Sequence, residues 1–78
     1  MDNQTKIIEL ISRVTGKAVD IDPDESLFDA GILDSFELDT LIAAMETEFS
    51  FKVPNADLNP RKFSTIERIV SYVESHAA

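Results

Sequence analysis

Between Asp34 and Phe49 the apolar residues Leu38, Leu41, Ile42, Met45 and Phe49 recur at every third or fourth position. That spacing lays them along one stripe of a helix and does not fit the two-residue period of a strand. Glu37, Asp39, Thr40, Ala43, Glu46 and Thr47 fall largely on the other faces. Asp34 and Glu37 have the spacing of a capping box, with Asp in place of the usual Ser or Thr. The helix is expected to open at this pair and to be ended by Lys52-Val53-Pro54.

Two further segments carry the same period. Ile7, Leu10, Ile11 and Val14 alternate with Lys6, Glu9 and Arg13, and Gly16 is a natural stop. Near the end, Ser64 and Glu67 have capping-box spacing, and Ile66, Ile69, Val70 and Val73 give a buried face. Asn59-Pro60 suits a single turn running to Phe63, with Pro60 at the first helical position. From Lys17 to Leu33 no helical period persists. Pro23, the alternating aspartates and Gly31 mark a long loop, which Val19, Ile21, Leu27, Phe28, Ile32 and Leu33 are placed to pin to a core. The expected fold is all-α, a small up-down four-helix bundle of three main helices, one short helix and a long first loop. Seventy-eight residues without a cysteine are expected to form a single domain, 1–78, near the lower size limit for folding without staples.

Charge narrows the function. Fifteen acids stand against seven bases, a net charge of −8, and no Lys or Arg occurs between Lys17 and Lys52. Asp20, Asp22, Asp24, Glu25, Asp29, Asp34, Glu37, Asp39, Glu46 and Glu48 all lie in that interval. Such a field repels nucleic acid and anionic membranes and attracts basic protein surfaces. No apolar run approaches membrane-spanning length and no secretory leader opens the chain, so a cytoplasmic monomer without a membrane span is expected. Asp20, Asp22 and Asp24 begin like a calcium loop, but Glu25 and Gly31 replace its glycine and its closing glutamate. Weak, non-specific divalent binding at Asp20, Asp22, Asp24 and Glu25 is the most this pattern supports. His76, the sole histidine, lies two residues from the C-terminus at an expected frayed position, and no nucleophile elbow surrounds Ser35. Arg61, Lys62 and Arg68 form the one basic cluster, read as a solvated face or an internal counter to the acids.

One hydroxyl remains. With Asp34 as the cap, Ser35 occupies the first helical position beyond a glycine-containing loop. A helix start offers unpaired N–H groups and the positive end of the dipole, a setting suited to a phosphate ester. Taken with the run Leu27-Phe28-Asp29-Ala30-Gly31-Ile32-Leu33-Asp34-Ser35-Phe36, the stripe after it, Glu46, Phe49, Val53-Pro54, Phe63 and the last Ile/Val stripe, the chain resembles the acyl, peptidyl and D-alanyl carrier proteins over nearly its whole length. Two residues separate Gly31 from Asp34, where fatty-acid carriers usually have one. Phe36 stands for the common leucine, and Asp39 takes a place often apolar in fatty-acid carriers. In these respects the chain looks more like the stand-alone D-alanyl, peptidyl or acyl carriers.

The resemblance implies that Ser35 accepts 4′-phosphopantetheine from coenzyme A through a phosphopantetheinyl transferase. The arm then carries an acyl or aminoacyl thioester between partner enzymes, and the chain performs no catalysis of its own. It also implies a partner-binding face of Phe36, Glu37, Asp39, Thr40, Ala43, Glu46 and Thr47, whose acids steer a loading enzyme and downstream synthases or transferases with basic docking surfaces. Phe36 is read either as an apolar contact beside the arm or as folded back on Ile32 or Leu33. The competing readings are a non-covalent acidic interaction module, which would carry no arm, and a calcium-responsive protein.

Overall fold

The computed structural model describes residues 2–76. Three helices form, α1 (Asn3–Thr15), α2 (Ser35–Phe49) and α3 (Ile66–His76), with two short 3-10 turns, Asn55–Asp57 and Pro60–Phe63, between the last two. There is no strand among the described residues. The fold is the expected all-α bundle, its short fourth element being the Pro60–Phe63 turn.

The stripes bury most of what their period predicts, with Val14 and Phe49 at the ends of theirs only half-buried. Ile7, Leu10 and Ile11 of α1 meet Leu38, Leu41, Ile42 and Met45 of α2 and Ile66, Ile69 and Val73 of α3 in one core, which Leu27, Ile32, Leu33, Val53 and Phe63 complete. Helix α1 packs on both α2 and α3. Among the described residues no charged side chain is buried, so the acids all stay hydrated. Two positions on α3 differ from the expectation. Val70 is only half-buried, whereas Tyr72 is buried with its ring 5.0 Å from that of Phe63.

The helix ends follow local chemistry at four points and depart from it at two. Asp2 caps α1 through Thr5 N, and Gly16 ends it at φ +70, its N–H donating to the Ser12 carbonyl. Asn59 caps the second 3-10 turn, with Pro60 first inside it. At the start of α2, Asp34 and Glu37 form the reciprocal capping box. Its other end comes earlier than expected, at Phe49 rather than at Lys52-Val53-Pro54, because Ser50 turns left-handed at φ +54. That conformation costs a non-glycine residue about 1–2 kcal/mol. Holding it are the N–H groups of Ser50 and Phe51, both donating to the Glu46 carbonyl, and the Glu46 carboxylate, which accepts from Val53 N at 2.8 Å.

The second departure is at α3, where the expected Ser64–Glu67 capping box is absent. Thr65 caps instead, accepting from Arg68 N at 3.0 Å. Ser64 and Glu67 are engaged by the distant loop: the Ser64 carbonyl accepts from Leu27 N at 2.7 Å, and Glu67 N donates to the Pro23 carbonyl at 2.9 Å. These two bonds fasten the first loop to the start of α3.

His76 is not frayed. It lies in the last turn of α3 with its ring stacked on Tyr72, 4.0 Å between centroids and 13° apart, and Nδ1 2.9 Å from the Tyr72 carbonyl. The basic cluster acts partly as an internal counter to the acids. Lys62 pairs with Asp57, while Arg68 Nη1 donates to the Arg61 carbonyl at 3.0 Å.

Candidate functional site

The loop before α2 closes on Leu27. This side chain is fully buried, and its carbonyl accepts from both Ile32 N and Leu33 N at 3.0 and 3.2 Å. Ala30 N and Gly31 N turn back to the carbonyls of Ser26 and Phe28. Gly31 sits at φ +73, a region where a Cβ is disfavoured, and its carbonyl accepts from Lys17 Nζ at 3.0 Å. Ile32 and Leu33 are then buried, which fixes the direction from which the chain enters α2.

Asp34 follows as the cap. Its carboxylate accepts from Glu37 N at 2.8 Å, and its own N–H donates to the Glu37 carboxylate at 3.2 Å. Ser35, next in the chain, is exposed at the first position of α2, and its hydroxyl makes no hydrogen bond among the described residues. The N–H groups of Ser35 and Phe36 likewise have no partner among those residues. An exposed hydroxyl, backed by a rigid turn and two free helix-start amides, fits a phosphate ester. The two nearest carboxylates are both occupied in the cap, so the ester's charge need not displace either from a bond it makes.

The expected partner face divides in two. Phe36 is 86 % exposed and does not fold onto Ile32 or Leu33. Asp39 is exposed, as are Thr40 and Thr47, whose hydroxyls turn back onto the Phe36 and Ala43 carbonyls. Glu37 and Glu46 are half-buried and already committed, one to the cap and the other to Val53. Asp39, Ala43 and Glu46 line one side of a groove of about 420 Å³, with Ile42 at its floor. Val53, Asn55 and Leu58 form its other side, and the sequence reading missed them. The available signal was Leu58, a lone apolar residue between the polar Asn55-Ala56-Asp57 and Asn59-Pro60 turns.

Asp20, Asp22, Asp24 and Glu25 stay exposed along the loop. Among the described residues no three acidic or histidine side chains gather as a metal-binding group. No helix among them is long and apolar enough to cross a membrane.

A family model described as the phosphopantetheine attachment site matches residues 5–73. Among curated proteins, the chain is 38 % identical over 74 residues to the D-alanyl carrier proteins of Streptococcus pyogenes serotype M5 (strain Manfredo), serotype M49 (strain NZ131) and serotype M1. Each alignment covers 95 % of this chain and 94 % of the relative. The match takes in α2, the loop before it and most of α1 and α3. The chain therefore belongs to the phosphopantetheine-attachment family of carrier proteins, and its prosthetic group is 4′-phosphopantetheine.

Proposed function

We propose that Ser35 is the attachment residue and that the chain is a non-catalytic carrier of an aminoacyl or acyl group in a cytoplasmic biosynthetic pathway. The observation that carries this reading is the setting of Ser35: an exposed hydroxyl at the first position of α2, behind a complete capping box. When bound, the arm supplies a terminal thiol that holds the cargo as a thioester.

The chain's own residues present and guide. Leu27, Ile32 and Leu33 hold the loop, so that Ser35 Oγ is offered in one place to the transferase. The hydroxyl gives up its proton and forms the new bond to phosphorus, and the rest of coenzyme A departs as adenosine bisphosphate. Asp39 and the loop acids draw basic partner surfaces towards α2, a long-range effect that salt weakens. Phe36 offers an apolar contact beside the modified serine. The D-alanyl carrier relatives favour an aminoacyl cargo, loaded by an adenylate-forming ligase and passed to a downstream transferase.

Incubation with coenzyme A and a broad-specificity phosphopantetheinyl transferase, followed by intact-mass measurement, tests the assignment. One added arm is expected on the wild type and none on Ser35→Ala. An unmodified wild type, or a modified alanine variant, overturns it. Loading of the modified chain with a panel of D- and L-amino acids by an adenylate-forming ligase then reads the cargo.

A further inference from the structure

The proposed docking face has a wall that α2 does not supply. Across the groove from Asp39, Ala43 and Glu46 stands Leu58, 43 % exposed. Among the described residues it and Phe36 are the only large apolar side chains so exposed. The adjoining Asn55–Asp57 turn buries none of its own residues, so hydrophobic packing does not hold it.

Its position rests on polar anchors at either end. At one end the Glu46 carboxylate accepts from Val53 N. At the other, Asp57 is gripped from two elements: Oδ1 accepts from Lys62 Nζ at 2.6 Å, and Oδ2 accepts from Tyr72 Oη at 2.7 Å. Tyr72 is itself packed in place, its ring tilted against Phe63 and Phe51 and stacked on His76. The grip passes directly to the neighbouring residue, since Leu58 N donates to the Asn55 carbonyl and Asn59 N to the Asp57 carbonyl.

We propose that Asp57 is a positioning residue: anchored by Lys62 and Tyr72, it holds Leu58 as the second wall of the groove and so sets how tightly the phosphopantetheinyl transferase engages the Ser35 face. This rests on the carrier reading above. Asp57 touches no reacting atom and acts only through the segment it fixes. A purely structural role predicts lower stability alone, whereas positioning predicts a selective change in docking.

The test uses the full chain, coenzyme A and a broad-specificity transferase as the probe. Asp57→Ala and Leu58→Ala are each expected to raise the KM for the carrier about tenfold with kcat unchanged. The double variant is expected to be no worse than either single one, because both remove the same wall. Amide exchange at residues 55–59 should quicken in Asp57→Ala and in Tyr72→Phe, which keeps the ring packing and the fold, while Leu41 and Ile69 stay protected. Unchanged exchange at 55–59, an unchanged KM, or additive effects in the double variant overturns the proposal. A wild type that accepts no arm overturns the carrier reading and the docking role with it. Failure of the anchor alone shows separately in the exchange data, which do not involve the arm.

Discussion

Leu27→Ala tests whether the loop before Ser35 is built on a core anchor. Leu27 is fully buried although it lies outside any helix, and three backbone bonds converge on it from Ser64, Ile32 and Leu33. Truncating a buried leucine costs about 2–5 kcal/mol, depending on how far the site closes over the void. A loop closes more readily than a helix pair, so a loss of about 2–3 kcal/mol is expected. A domain of this size has about 4–12 kcal/mol in total. At about 6 °C per kcal/mol, the midpoint should fall by about 12–18 °C. Urea unfolding followed by circular dichroism reads the loss as a lower midpoint with an unchanged slope. Phe36→Ala, at an 86 % exposed site, is the control and should change stability by no more than about 0.5 kcal/mol. A Leu27→Ala loss below about 1 kcal/mol, or equal to the control, refutes the anchor.

Asp34→Ala removes the side-chain half of the capping box, leaving the backbone N–H at position 34 to donate to Glu37, and should cost about 1 kcal/mol in the same urea assay, with Asp34→Ser recovering most of it. Burial and the Asp57 carboxylate push Tyr72 up to about 12, from an ordinary value of 10.0. Its neutral form is thus favoured by folding, and the stability gained is complete below pH 10 and lost as pH rises towards 12. Ultraviolet titration of the phenol should show the late ionisation, and Asp57→Asn should bring it earlier. Asp57 shifts the other way: hydrogen bonds from Lys62 and Tyr72 hold it below 3.8, so its contribution persists above that pH and fades on further acidification. With a net charge of −8, moderate salt or magnesium should raise the thermal midpoint by screening self-repulsion, and a midpoint that stays or falls would contradict this.

What the sequence disclosed was what neighbours in the chain decide. Asp34 and Glu37 lie three residues apart, so their reciprocal cap, and with it the position of Ser35, follows from spacing alone. The stripes of α1 and α2 were legible for the same reason. The errors arose where distant segments compete for the same backbone groups. Ser64 and Glu67 have the right spacing for a cap, yet Leu27 and Pro23 claim their polar groups from about forty residues away, and Thr65 takes over. Ser50 adopts a glycine-like conformation because the Glu46 carbonyl and carboxylate tie down the residues after it, which no local propensity signals. Tyr72 and Asp57 meet only because the 3-10 turns fold back on α3, and Leu58 stays exposed when they do.

The fastening of the first loop to the start of α3 bears on the order of events during synthesis. Pro23 and Leu27 find their partners in Glu67 and Ser64, so a nascent chain carries Ser35 for about thirty residues before those two bonds can form. Until α3 emerges, the turn behind the serine has only its local bonds to Ser26, Leu27 and Phe28 and lacks this outer tie. A transferase that recognises the folded surface would therefore favour a chain in which α3 is already in place, so α3 would bear on modification without approaching the hydroxyl.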